Sequence, residues 1–441
     1  MAQTILVDAS PEKRLFISLI TRDISLVAAF LDLIDNAINS AVEPFSDKLT
    51  TAADYLAVAN DPNIKSDVTI DIQFDKNKVT IKDTAGGISA KTAENHVFKF
   101  GRSPGEDHED DRLSVYGIGL KRALFKLGAR IQMQSDHPEG GFNLDLNVPS
   151  WEKDPTQPWK FPITTRDPAA GGTTITVTRL HDEVKRRLCD GVFLNQLSEA
   201  IAKTYAFYVP KFARITVQGK EIDPVSVDIG SNHTTEIFVD GPVSCAVTAG
   251  IGIPQGGSFR DRSSGWFVFC NGRAVVSADK SPLTGWGGGG LPIFQPKHRP
   301  FVGTVFIVSR DPERLPWNTT KSGINEDSSV WQMARQQMTA VARLVISFLD
   351  GRYTDEGTEV ASKDLQEAAG ERTSVIAAAV AEKRVFTPPS KPKAEIMRIQ
   401  YDARIADVRR IAEYLRKPSM SGSDVGRHTF QYFLRNEVGE A

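Results

Sequence analysis

Residues 30–41 read Phe30-Leu31-Asp32-Leu33-Ile34-Asp35-Asn36-Ala37-Ile38-Asn39-Ser40-Ala41. Apolar residues recur at helical spacing, with Phe30, Leu33, Ile34, Ala37, Ile38 and Ala41 on one face, so that face packs on a core. The other face carries Asp32, Asp35, Asn36 and Asn39. Asp32 and Asn36 are four residues apart and project from the same side, one turn from each other. Asparagine is a mediocre helix former, because its amide competes for backbone hydrogen bonds. A polar group held there needs a reason. A hard divalent cation supplies one, since Mg2+ takes few protein oxygens and keeps phosphate oxygens and waters as its other ligands. A carboxylate one turn away is placed to orient or deprotonate an attacking water. The plainer alternative is an amphipathic helix with a solvated polar face.

Further along, Val68–Phe74 and Lys78–Lys82 alternate apolar and polar residues around the turn Asp75-Lys76-Asn77, which predicts a β-hairpin. Its second strand runs into Asp83-Thr84-Ala85-Gly86-Gly87-Ile88. Paired glycines there permit positive φ and close approach of a ligand to the backbone. Asp83 can accept a hydrogen bond from an exocyclic amine, as on adenine; a plain turn is the alternative. A helix is expected over Ala90–Phe100, then a polar acidic loop over Glu106–Asp111. Tyr116-Gly117-Ile118-Gly119-Leu120-Lys121-Arg122-Ala123-Leu124 opens a helix to about Leu127. A glycine-rich loop at a helix N-terminus presents unpaired N–H groups and a positive dipole end, and Lys121 adds a point charge, which makes a phosphate cradle. Here the alternative is a tight turn. Arg130–Ser135 and Gly141–Val148 read as strands of the same sheet. Gly172–Leu180 is a further β-branched, alternating strand; Thr173 at its start can donate a hydroxyl to a nucleotide, the commoner alternative being a threonine that only forms strand.

The remaining chain divides by pattern. Residues 1–22 read as an extended arm and turn, Asp23 as the N-cap of a helix to about Val42, and residues 43–66 as a surface excursion. From Asp182 the pattern changes: residues 183–207 are helical, and strands follow near 212–218, 234–240, 243–251, 265–270 and 300–309. A polar loop, Leu315–Ile324, precedes a long helix near 328–350. The organisation expected is a first domain over 1–182, a second α+β domain over 183–350, a helix and Pro-rich linker over 351–393, and a helical partner-binding segment over 394–441. The 441 residues are 40% hydrophobic and 24% charged, which excludes a mainly disordered chain. A net charge of −2 supplies no global field toward nucleic acid or membrane. Cys189, Cys245 and Cys270 form neither a metal spacing nor a disulfide framework. With no signal-peptide core and no membrane-length apolar run, a cytoplasmic protein without membrane partners is expected.

A helix with Asp32 and Asn36, a strand–DxxGG turn, a flexible loop before GxGxxxA, and a strand opening Gly-Thr occur in one order over residues 15–180. Together they resemble the GHKL ATPases: gyrase-type topoisomerases, heat-shock-ninety chaperones, histidine kinases and MutL proteins. YGIGLKRA looks most like the microrchidia-type branch, including bacterial ATP-binding proteins. The resemblance implies an α+β chain: an N-terminal Bergerat-fold α/β sandwich, a ribosomal-S5-like transducer domain and a helical C-terminal region. It implies ATP and Mg2+ as ligands. Asn36 matches the metal-holding residue. Asp83, Gly87 and Thr173 match the base pocket, and Gly117, Gly119, Leu120 and Lys121 the phosphate loop. Asp32 matches the catalytic position, where many hydrolytic members carry Glu, and Asp is one methylene shorter. Lys321, in NTTKSGI, matches the transducer lysine that reaches the γ-phosphate, a point charge suited to sensing it. The function implied is a slow, Mg-dependent ATPase switch that dimerises on ATP and clamps DNA or a partner protein, with family analogy pointing to antiviral defence or DNA maintenance. The second reading is a non-hydrolysing nucleotide-gated adaptor that recruits an effector through its C-terminal helices. Histidine-kinase activity is disfavoured, because no dimerisation helix with a phospho-acceptor His precedes Asp32.

Overall fold

The computed structural model describes residues 11–101, 113, 117–154, 159–209, 211–254, 259, 261–352, 361–374, 384–389 and 399–438. The acidic stretch Glu106–Asp111 and Tyr116 lie outside the described residues. Residues 1–389 form one compact unit and residues 390–441 another.

The first unit is α+β, and its described residues form two sheets. One comprises β1 (Thr69–Phe74), β2 (Lys78–Asp83), β3 (Gly128–Asp136), β4 (Phe142–Asn147), β5 (Ile163–Thr165), β6 (Gly172–Leu180), β7 (Arg214–Val217) and β8 (Lys220–Glu221). Their spatial order is β5-β4-β3-β6-β2-β1-β7-β8. Neighbours run antiparallel except β1 and β7, which are parallel. The second sheet comprises β9 (Asp228–Asp240), β10 (Val243–Gly252), β11 (Gly265–Cys270), β12 (Arg273–Asp279), β13 (Phe301–Ser309) and β14 (Arg372–Ser374). Its order is β12-β11-β13-β10-β9-β14. The expected boundary between residues 182 and 183 therefore does not separate the sheets. The strand near 212–218, assigned from sequence to the second domain, adds to the first sheet beside β1.

Helices cover both sheets. They are α1 (Lys13–Arg22), α2 (Leu26–Val42), α3 (Ala52–Asn60), the short α4 (Ala90–Thr92), α5 (Gly119–Leu127), α6 (Val148–Lys153), α7 (Asp182–Leu188), α8 (Gly191–Thr204), α9 (Ser329–Arg352) and α10 (Ala361–Ala369). The extended arm expected before residue 22 is helical from Lys13. Ser25, not Asp23, caps α2; its hydroxyl accepts from the Ala28 N–H at 3.1 Å. Only Ala90–Thr92 of the expected 90–100 helix is regular, and a π-turn follows over Ala93–Val97. Residues 43–66, expected as a surface excursion, are in part built into the core. Within them, α3 is held by a capping box between Thr51 and Asp54. Tyr55 and Leu56 are buried, α3 packs on β10 and β13, and the Ala52 N–H donates to the Ser244 hydroxyl on β10.

The core face of α2 forms as its periodicity predicts. Phe30, Leu33, Ile34, Ala37, Ile38 and Ala41 are all buried. Phe30 meets Phe74 of β1 and Phe193 of α8 at ring-centroid distances of 5.8 and 5.6 Å. Burying such a side chain contributes about 1.5–3 kcal/mol, and together these contacts fix α2 over the sheet. In the second unit, α11 (Ile405–Tyr414) and α12 (Gly422–Phe433) form a helical pair in which Ala412 and Val425 are buried.

Candidate functional site

A cavity of about 310 Å³ lies between the helices α2 and α5 and the floor formed by β2, β3 and β6. Its walls bring together Asn36 and Asn39 of α2, Asp83 at the end of β2, Gly87, Gly117, the first turn of α5 (Gly119, Leu120 and Lys121), and Thr173 at the start of β6. These segments span more than a hundred positions of sequence and meet because α2 and α5 pack on each other over one sheet.

Each wall has a distinct chemistry. The Asn36 amide nitrogen donates to the Asp32 carbonyl at 3.0 Å, one turn back, which leaves the amide oxygen as an acceptor at the cavity. Helix α5 has no side-chain N-cap, so the N–H groups of its first turn have no intrahelical partner and suit an anion. Gly117, at φ 59, turns the chain into that helix. The Lys121 ammonium is buried and donates to the carbonyls of Val97 and Lys99 at 2.7 and 2.6 Å. It thus ties the chain beyond α4 to the loop, and burial pulls its pKa down to about 7. Burial likewise pushes the Asp83 carboxyl up to about 6, against the backbone N–H groups of Ala85 and Thr173. Asn39 accepts from the Leu113 N–H at 3.0 Å.

The end of the cavity nearest Asp83 is built across three strands. Asp83, Thr173 and Ser135 are register partners on β2, β6 and β3. Gly87, at φ 72, lies against this row; a Cβ there would stand 1.8 Å from the Asp136 carbonyl oxygen. Ser135, Met133 and His137 carry no motif and escape sequence reasoning. Only the alternation along β3 marks Ser135 and Met133 as inward-facing.

Residues 24–167 match the family model described as histidine kinase-, DNA gyrase B- and HSP90-like ATPase. This segment is a GHKL-type ATPase domain. Its α+β architecture is that of the Bergerat-type sandwich. No curated protein matches the chain.

Two predicted site residues of the ATPase domain and its extension do not line the cavity. Asp32 is buried and bound bidentately by Arg122 of α5, with Nε–Oδ2 at 2.6 Å and Nη2–Oδ1 at 3.0 Å. It sits one layer behind Gly119, where an added Cβ would come within 3.5 Å of its carboxyl carbon. Lys321 is buried too, and its ammonium meets Asp35 Oδ2 at 2.7 Å. Asp35 also accepts from Arg273 of β12 at 2.9 Å and from the Tyr205 hydroxyl at 2.7 Å. Burial alone would raise the Asp35 pKa, but Arg273 and Lys321 outweigh it and hold the carboxyl below its ordinary value. Arg122 further donates to the Thr319 carbonyl and Arg273 to the Lys321 carbonyl. The loop 317–324 is therefore fastened to the ATPase domain by two arginines and one lysine.

The donor set fits Mg2+ only with a nucleotide present. Among the described residues no group of three or more His, Cys, Asp and Glu side chains can hold a metal. A single amide oxygen suits an ion that draws its other ligands from phosphate and water. No helix among the described residues is long and apolar enough to cross a membrane.

Proposed function

We propose that this protein is an ATP-operated conformational switch whose nucleotide binds in the α2–α5 cavity. The observation that carries the reading is the convergence of Asn36, Asp83, Gly87, Gly117, Gly119, Leu120, Lys121 and Thr173 on that one space. Asp83 and Thr173 face the base, the first turn of α5 and Lys121 take the phosphates, and the Asn36 oxygen holds Mg2+. A bound Mg2+ would supply charge neutralisation on the phosphates.

The loop 317–324 carries the response to the terminal phosphate. Lys321 can exchange Asp35 for that phosphate without leaving a bare buried carboxylate, because Arg273 and Tyr205 stay on Asp35. The backbone of Lys321 supports such a switch: its φ of 52 lies in the left-handed region, a strained state for a lysine that surroundings must hold in place. Movement of the loop then passes to α9 and the second sheet, and two protomers close around DNA or a partner protein.

The clamp of Arg122 on Asp32 bears on hydrolysis. Both carboxylate oxygens accept from the guanidinium, and the buried side chain is not part of the cavity wall, so Asp32 must be uncovered to serve a water. This favours slow turnover and gives the non-hydrolysing adaptor specific support. ATP titration with and without Mg2+, with phosphate release measured alongside, tests both readings. Saturable binding that loses its Mg2+ dependence in Asn36→Ala supports the site. Release abolished in Asp32→Ala supports the enzyme, whereas tight binding without release supports the adaptor. Light scattering with a non-hydrolysable ATP analogue then reads dimer closure; an unchanged mass contradicts the clamp.

A further inference from the structure

We infer that Ser135, buried behind the cavity wall, sets the direction of the hydrogen bond that Thr173 offers to the base, and so makes the site select adenine over purines with a protonated ring nitrogen. The inference rests on reading the cavity as a nucleotide site. Ser135 is 0% exposed. Its oxygen accepts from the Ile88 N–H at 2.7 Å and lies 3.1 Å from the Thr173 hydroxyl oxygen. Among the described residues its hydroxyl has these two partners. A hydroxyl carries one proton. If Thr173 donated to Ser135, the Ser135 proton would be buried without an acceptor, which native interiors avoid. The Ser135 proton therefore goes to Thr173, and the Thr173 proton is left for the cavity that Thr173 lines.

The chain of donors runs one way, from the Ile88 N–H through Ser135 and Thr173 to the ligand. Beside Thr173, on the register-paired position of β2, stands the Asp83 carboxylate. One of its oxygens accepts from the Ala85 N–H at 3.0 Å. The wall thus offers a donor next to an acceptor. Adenine presents the complement, an unprotonated ring nitrogen next to an amine. Guanine and hypoxanthine present a ring N–H next to a carbonyl, which meets donor with donor and carboxylate with carbonyl. Gly87 belongs to this device, since the turn bearing Ile88 reaches Ser135 only because no Cβ stands against the Asp136 carbonyl.

The test is competitive titration of the full chain with ATP, inosine triphosphate and 1-deaza-ATP, which lacks the ring nitrogen acceptor. The wild type is expected to prefer ATP to both analogues. In Ser135→Ala the Thr173 hydroxyl is free to turn and accept, so the preference over inosine triphosphate should shrink about five- to tenfold. Ser135→Ala should also weaken ATP more than 1-deaza-ATP, the coupling expected of a shared hydrogen bond. Equal weakening of all three ligands would mark Ser135 as merely structural and overturn the inference. Should Ser135→Ala not fold, Thr173→Val on the same ligand set decides: unchanged ratios overturn it. A wild type that binds no adenine nucleotide overturns the nucleotide-site reading itself, whereas ATP binding with unaltered ratios strikes Ser135 alone.

Discussion

At Gly87 and Gly86 two adjacent glycines have opposite reasons to be there. Gly87 combines a positive φ of 72 with a Cβ position 1.8 Å from the Asp136 carbonyl oxygen, while a Cβ on Gly86 would meet nothing within 4 Å. Gly87→Ala should therefore cost about 1–3 kcal/mol from backbone strain and push the 86–88 turn off β3, weakening nucleotide binding as well. Gly86→Ala should change stability by no more than about 0.5 kcal/mol. Urea unfolding of the pair, with ATP titration, checks both expectations. Asp83 makes a second prediction here. Its carboxyl is raised from 3.8 to about 6 chiefly by burial, so between those values the folded protein holds a proton that the unfolded chain has lost. Stability contributed by this group is present at low pH and declines as pH rises from about 4 to about 6. ATP affinity should move the other way over the same window, because only the carboxylate accepts from the amine. Asp83→Asn should flatten both profiles, measured by melting and titration across pH.

Helix α2 shows how an element can be legible in outline and opaque in its partnerships. Its length, buried face and polar face are local properties, written in the 3.6-residue period of Phe30–Ala41. The pocket glycines and Asp83 are legible for the same reason, since turn chemistry is short-range. What the polar face binds is not local. Asp32 meets Arg122 across 90 residues, and Asp35 meets Arg273 and Lys321 across 238 and 286. No periodicity links such positions, so from sequence Asp32 reads either as a carboxylate that acts on water or as part of a solvated face, whereas it is a buried ion-pair partner. Ser135 is hidden for a different reason: a lone serine in an alternating strand resembles any other. The clamp has an energetic signature. Arg122→Met leaves the Asp32 carboxylate buried and unpaired and should cost about 3–5 kcal/mol, whereas adding Asp32→Met should restore much of that loss. The recovery falls short of complete because the Thr319 carbonyl still lacks its donor. Chemical denaturation of both single variants and the double variant reads the coupling directly.

Across the whole molecule, the two sheets of residues 1–389 are stitched together by contacts that ignore the boundary suggested by sequence pattern. Strand β7 pairs with β1, Tyr205 bonds Asp35 on α2, and α3, from the first third of the chain, packs on β10 and β13. Pattern reasoning finds a break near residue 182 because strand–helix order changes there, but the pairing of β7 with β1 is a non-local event that local order cannot encode. The consequence is a sharp difference between two truncations. A chain ending at residue 182 loses β7, β8 and α8, exposes the edge of β1 and the Phe30–Phe74 cluster where Phe193 packs, and strips Asp35 of Tyr205, Arg273 and Lys321. It should be insoluble or molten, without cooperative melting. A chain ending at Pro389 keeps every one of those contacts, since residues 1–389 are compact by themselves. It should melt cooperatively and bind ATP with the affinity of the full chain, because all the cavity residues lie within it. If the shorter chain folded and bound nucleotide as well as the longer one, the loop 317–324 would have no hold on the ATPase domain, and the route proposed from terminal phosphate to second sheet would fail with it.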